Sequence, residues 1–67
     1  MNKGAEHLLA WRVSLRLTQT AAATQLGFSS PLLCLYERGK RKPGRVRAVQ
    51  LQLKAGVPTA EWDEECP

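Results

Sequence analysis

Residues 17–41 constrain the fold of this chain more strongly than any other segment. Their residue types describe two short helices that are joined by a tight turn at Gly27. The small side chain of Ala23 lets a second helix cross close by, and glycine permits a positive φ angle at the corner. Leu26 and Leu33 supply apolar contacts between the two helices. The segment therefore predicts a helix-turn-helix, whose second helix has the size that enters the major groove of B-DNA.

Two helices are predicted up to this turn. The first follows a frayed start at residues 1–4 and covers residues 5–15, with apolar side chains at helical spacing. The second covers residues 19–26, where an alanine run favours helix and Thr18 is a suitable N-terminal cap. The apolar positions expected in the core from the first helix are Leu8, Trp11 and Leu15.

Two further helices are predicted after the turn. The third is capped by Ser29 or Ser30, accepts Pro31 in its first turn, and ends just before Gly39. The fourth covers residues 44–54 and is expected to bury an apolar stripe at spacings of three and four residues. The stripe consists of Val46, Val49 and Leu53.

These elements predict the all-α fold class, as a compact bundle of four to five short helices that contains the helix-turn-helix. The 67 residues suffice for one domain, residues 1–67, with residues 1–4 and 63–67 expected to be mobile. Trp62 is expected to cover the core as a lid. No segment resembles a signal peptide or a membrane span, and two cysteines are too few for a disulfide framework, so a cytoplasmic location is expected.

Positive charge is concentrated in one segment of a chain whose net charge is +4. Six of the 10 basic residues lie within residues 38–47, whereas four of the 6 acidic residues lie within residues 61–65. A polyanion is attracted to the first segment and repelled by the second. A basic run can also be a solvated loop, but its position beside a helix-turn-helix favours contact with phosphate. The six basic residues are Arg38, Lys40, Arg41, Lys42, Arg45 and Arg47.

Nearly the whole chain resembles the lambda Cro/repressor-type helix-turn-helix family of phage and bacterial regulators, often called XRE-like. Single parts of the pattern are weak, but their order and spacing together are specific. The resemblance implies a bundle of five short helices in which the third is the recognition helix. It rests on Trp11-Arg12, Leu17-Thr18-Gln19, Ala23, Leu26-Gly27-Phe28-Ser29, Leu33, Tyr36-Glu37-Arg38-Gly39-Lys40-Arg41, Pro43, Gly56-Val57-Pro58 and Trp62.

The resemblance also implies roles for individual residues. Similar proteins often pair an arginine of helix one with a glutamate late in helix three, and here these are Arg12 and Glu37. A partly buried structural ion pair is favoured over an acid that faces DNA. Free N–H groups at helix N-termini are suited to phosphate, and the resemblance puts Gln19 on the sugar-phosphate backbone. The expected phosphate-binding residues are Gln19, Ser29, Lys40, Arg41 and Lys42.

The face of helix three that would meet the bases departs from the family pattern. Relatives usually carry glutamine, serine, arginine or lysine there, whereas proline and leucine cannot donate a hydrogen bond to a base edge. Three explanations stay open: apolar contact combined with DNA shape, a tilted docking, or a helix face that binds protein instead. The expected base-facing residues are Ser30, Pro31, Leu32, Leu35 and Arg38.

Arg16 is a second departure, because relatives commonly have glycine at the end of helix one. Either this helix ends differently, or a left-handed arginine is tolerated at a cost of roughly 1 kcal/mol. The aromatic residues are expected in the core, with Tyr36 as the one candidate for stacking on bases.

Neither a cofactor, nor a metal, nor a catalytic activity is expected. His7, Cys34 and Cys66 match no zinc-binding spacing and lack a fourth ligand. A nucleophilic pair of Cys34 and His7 lacks both an oxyanion site and a pocket. The sequence therefore predicts a binding protein.

The leading hypothesis is a small sequence-specific DNA-binding transcriptional regulator, a Cro-like or controller-type repressor without an attached sensor domain. It would bind operator DNA through the major groove as a homodimer, in the cytoplasm and on the nucleoid. The dimer surface is expected at helix five and after Gly56. The alternative is a protein-binding module on the same fold, an antitoxin or an inhibitor of another regulator, with Leu32 and Leu35 as anchors.

Overall fold

The computed structural model describes residues 2–65 as four α-helices and one short 3₁₀ helix. The predicted all-α fold class is confirmed, since the described residues contain only one isolated bridge of β type, between Asn2 and Glu65. The predictions for Met1, Cys66 and Pro67 lie outside the described residues. The elements are α1 (Lys3–Ser14), α2 (Gln19–Leu26), α3 (Ser30–Glu37), α4 (Arg45–Ala55) and the 3₁₀ helix (Thr59–Asp63).

The turn between α2 and α3 is built by its capping residues, as predicted. The hydroxyl of Thr18 accepts a hydrogen bond from the backbone N–H of Ala21, which satisfies one free donor in the first turn of α2. Gly27 ends α2 in the left-handed conformation, with φ of 79°. Ser29, not Ser30, then caps α3. These caps place two eight-residue helices on either side of a turn of three residues.

α1 begins earlier than predicted, at Lys3 instead of residue 5. The side chain of Asn2 accepts from the backbone N–H of Ala5 at 2.7 Å and caps the helix. The backbone N–H of Lys3 donates to the carbonyl of Glu64 at 2.7 Å. Residues 3–4, which were expected to be frayed, are therefore helical, because a side-chain cap and a backbone contact with the C-terminal segment stabilise the start of α1. The mobility expected for residues 2–4 and for residues 63–65 stays a prediction.

The end of α1 also differs from the prediction. The helix stops at Ser14, and Leu15 is an exposed capping position instead of a core residue. Arg16 then adopts φ of 57°, the left-handed region in which glycine is favoured. Of the two explanations for the missing glycine, the structure supports the left-handed arginine, whose strain costs roughly 1 kcal/mol of stability.

The core lies between the four α-helices and the 3₁₀ helix. Trp62 covers it, as predicted, and its ring lies so close to Gly4 that a Cβ atom there would approach ring carbons to 2.5 Å. Tyr36 is fully buried, with its ring centroid 5.7 Å from that of Phe28 and 6.1 Å from that of Trp62. Stacking of Tyr36 on bases is therefore excluded, because its ring is enclosed by other aromatic rings.

α4 is rotated relative to the prediction. Val46 is 72% exposed, Val49 42% and Leu53 80%, so the stripe expected in the core faces outward. The buried face of α4 has the same spacing, and two of its three side chains are alanines, which let α4 lie close to α2 and the 3₁₀ helix. The residues of this buried face are Ala48, Leu51 and Ala55.

Candidate functional site

A buried carboxylate holds the N-terminus of α2 and the C-terminus of α3 together. Glu37 is 3% exposed, and its Oε2 accepts a hydrogen bond from Nε of Arg12 at 2.6 Å. The other carboxylate oxygen accepts from Nε2 of Gln19 at 3.1 Å. Arg12 also donates from Nη1 to the carbonyl of Leu17 at 3.0 Å. The predicted Arg12–Glu37 ion pair is confirmed, and it fixes α3 against α1 and α2.

This network gives Gln19 a structural contact that the sequence did not indicate. Its side chain is half-buried, and the Nε2 donor is engaged by Glu37. The backbone N–H of Gln19 lies in the first turn of α2, where helices leave N–H groups without an intrahelical partner. A phosphate contact by Gln19 thus has its natural donor in the backbone, at the positive end of the helix dipole.

The outward face of α3 carries three of the five residues expected to face bases. Pro31 and Arg38 are exposed, and Leu35 is 38% exposed, so these residues form one row with spacings of four and three. Ser30 is half-buried at the start of the helix. Leu32 packs against the core from the side and is not part of the exposed row. The exposed face is therefore short, mostly apolar, and ends in a cation.

Free cations directly follow this face. Lys40 and Arg41 are exposed in the loop between α3 and α4, beyond the left-handed Gly39. Lys42 is also exposed, and its Nζ lies 3.3 Å from Oδ1 of Asp63. An exposed pair of this kind contributes about 0–1 kcal/mol, so Lys42 can exchange this partner for another anion. The loop thus presents a cluster of cations at the C-terminal end of α3.

The sequence did not predict two contacts between ionisable side chains. The contacts are those of Lys42 with Asp63 and of His7 with Glu61. In each, the two residues are far apart in the chain, so no local sequence pattern predicts the contact. Nδ1 of His7 lies 2.8 Å from the Glu61 carboxylate. Over residues 2–65, no group of three or more His, Cys, Asp or Glu side chains is arranged to hold a metal ion. Cys34 is a free, half-buried cysteine on α3.

Comparison of the chain with protein-family models, with curated proteins and with solved structures gave no match. None of the helices within residues 2–65 combines the length and the apolar character that a membrane span requires.

Proposed function

We propose that this chain is a small sequence-specific DNA-binding transcriptional regulator, a Cro-like or controller-type repressor of the phage and bacterial kind. It binds operator DNA with α3 in the major groove and acts in the cytoplasm, on the nucleoid, without catalysing a reaction. Two copies on a near-palindromic site would place their α3 helices one helical turn of DNA apart, about 34 Å.

One observation carries the proposal: an exposed helix row, Pro31, Leu35 and Arg38, runs directly into the exposed cations Lys40 and Arg41. A helix that enters the major groove has phosphates on both sides, so cations at its end meet the backbone while the row faces the base edges. The buried Glu37 network supports this arrangement, because it holds α3 against two other helices.

The proposed division of labour follows from the chemistry of each group. Lys40, Arg41 and Lys42 neutralise phosphates and supply affinity that depends on salt but not on sequence. Leu35 reads the methyl group of thymine, which is the one base feature that an aliphatic side chain recognises. Arg38 can donate to guanine or to phosphate. Since polar readout is sparse, sequence-dependent DNA shape supplies part of the specificity.

Selection of bound duplexes from a random library, followed by titration of the recovered sequence at several salt concentrations, tests the proposal. We expect one recovered motif with two related halves, and an affinity that falls steeply as salt is added. Absence of binding to any duplex at low salt would overturn the proposal.

Matched variants separate the two kinds of contact. Lys40→Gln should weaken binding to all sequences alike and lower the slope of log affinity against log salt by about 1. Lys54→Gln is the control, because this lysine lies in the last turn of α4, about 14 Å along the helix from its start, and should leave the slope unchanged. Leu35→Ala should relax preference at one base pair by about 1 kcal/mol and leave the slope unchanged.

A second candidate function is binding of another protein, as an antitoxin or an inhibitor of another regulator does. The apolar character of the exposed row favours it, since Leu35 and Pro31 suit a protein partner as well as they suit a groove. Leu32 contributes less to this function than the sequence indicated, because it packs against the core. This function predicts no duplex binding even at low salt.

A further inference from the structure

The 3₁₀ helix places a carboxylate beside the cationic loop. Lys42 and Asp63 are 21 positions apart in the chain, yet Nζ of Lys42 lies 3.3 Å from Oδ1 of Asp63. The neighbours of Asp63 account for its position. Trp62 is buried against Gly4, and the carbonyl of Glu64 accepts a hydrogen bond from the backbone N–H of Lys3 at 2.7 Å. Packing of the 3₁₀ helix on α1 therefore brings the Asp63 carboxylate to the loop.

The carboxylate shares a groove with two cations. The groove lies between α4 and the 3₁₀ helix, and Lys42, Arg45 and Asp63 are among its lining residues. Within residues 2–65, Lys42 is paired with Asp63, whereas Arg45 forms no ion pair. One negative charge thus lies between two positive charges, at the end of the loop that is nearer to α4.

The other two cations of the loop differ from Lys42 in this respect. Lys40 and Arg41 are exposed, and the part of the chain that the structure describes contains no acidic partner for either of them. A phosphate that binds Lys40 or Arg41 therefore displaces only water and salt ions. A phosphate that binds Lys42 must also displace a carboxylate, and it then lies close to that negative charge, which repels it.

We propose that Asp63 competes with phosphate for Lys42 and so lowers the affinity of the cationic loop for DNA. The choice of DNA as the polyanion rests on the proposed function. Because phosphate contacts carry no sequence information, Asp63 lowers the affinity for matched and for unmatched duplexes by the same factor. The 3₁₀ helix then has two roles, since it covers the core with Trp62 and limits the attraction of the loop for polyanions.

The exposure of the two side chains sets the size of the effect. They are 55% and 80% exposed, and exposed pairs of this kind are weak. Asp63→Asn should therefore raise the affinity for a duplex by about twofold to fivefold at low salt. The rise should shrink as salt is added, because salt screens exposed charges. Equivalently, the slope of log affinity against log salt should become steeper by up to about 1, since Lys42 then neutralises a phosphate without a carboxylate beside it.

Titration of one duplex with four chains tests whether Asp63 acts through Lys42. The chains are the wild type, Asp63→Asn, Lys42→Gln and the double variant. The rise caused by Asp63→Asn should be present in the wild-type background and absent in the Lys42→Gln background. Glu64→Gln is the matched control, because it removes the same charge from the adjacent exposed residue, whose side chain forms no ion pair within residues 2–65. It should raise the affinity less than Asp63→Asn does.

Elution of the same chains from immobilised heparin separates this proposal from the proposed function. Heparin is a sulfated polyanion without bases, so the salt concentration at elution reports how available the cations are. Asp63→Asn should elute at higher salt than the wild type and than Glu64→Gln, and the difference should disappear in the Lys42→Gln background.

Two results would overturn the competition. One is an Asp63→Asn chain that elutes together with Glu64→Gln, and the other is a rise of unchanged size when Lys42 is absent. If no duplex binds but the elution order is as expected, the competition is retained and only the proposed function is overturned.

Discussion

α3 and α4 are both short helices with apolar residues at helical spacing, but only α3 faces the way its sequence indicates. The buried residues of α3 include Leu33, as expected, and also Tyr36, which was the one aromatic candidate for stacking on bases. Glu37 holds the helix in this orientation. α4 has two apolar faces and places the one with Leu51 inward, while Leu53 is exposed. A helix with one apolar face and a polar anchor has its rotation encoded locally, whereas a helix with two apolar faces depends on its neighbours.

The largest loss of stability is expected when Glu37, the polar anchor of α3, is removed. Glu37→Ala leaves Arg12 without its carboxylate partner in a part-buried position, and loss of a buried ion-pair partner costs about 3–5 kcal/mol. Since a domain of this size has about 3–5 kcal/mol of stability in total, we expect the variant to be largely unfolded at 25 °C. Circular dichroism and denaturant titration measure this directly.

Glu37→Gln is the companion variant, because it keeps the shape and one acceptor while removing the charge. It should be intermediate in stability between the wild type and Glu37→Ala. Equal stability of all three proteins would mean that apolar contacts alone orient α3, and the contrast between the two helices would be lost.

The next prediction compares the two faces of α4 by the same change, leucine to alanine, on each face. Leu51→Ala creates a cavity in the core and should lower the free energy of unfolding by about 2–4 kcal/mol. Leu53→Ala, at an exposed position two residues further along the same helix, should change it by less than about 0.5 kcal/mol. Thermal or denaturant unfolding of the two variants at low concentration distinguishes them. Similar losses in both would show that the two faces do not differ in burial, and a larger loss in Leu53→Ala would show that α4 has the opposite rotation.

The smallest effect concerns a cation of α4, Arg47, that contacts the turn before α3. The guanidinium carbon of Arg47 lies 5.8 Å from the ring centroid of Phe28, and an exposed contact of this kind contributes about 0.5–1 kcal/mol. Arg47→Ala should lower stability by about that amount. Arg45→Ala removes the same charge from the same turn and is the control. If both variants lose equally, net charge and not the ring contact is responsible.

Much of the fold follows from local residue types. The bounds of α2 at Thr18 and Gly27 were predicted correctly, and the cap of α3 was narrowed to Ser29 or Ser30, because caps and left-handed glycines act within a few residues of the chain. The Arg12–Glu37 pair came from resemblance to a family, since the two residues are 25 positions apart. The additional bond from Gln19 to Glu37 could not be foreseen, because it depends on how three helices meet.

Part of the candidate site was also open to prediction. The exposure of Pro31, Leu35 and Arg38 follows from helical spacing once Leu33 is assigned to the core. Leu32 was expected on the same face but packs against the core. A residue at the border between the buried and exposed faces of a short helix can lie on either one. The duplex titrations test whether the row of Pro31, Leu35 and Arg38 contacts bases.

By itself, the sequence determined the bounds of α2, the approximate bounds of α3 and α4, that the chain forms an all-α bundle, and where positive charge accumulates. These properties depend on backbone conformation and on side chains within about one turn of each other. Only the tertiary structure decided which face of α4 is buried, that Asn2 and Lys3 join the C-terminal segment, and that Lys42 lies beside Asp63. Those outcomes depend on close packing between distant segments of the chain. A small residue such as Ala48 can be buried in place of a larger one where another helix lies close, and no local sequence pattern indicates this.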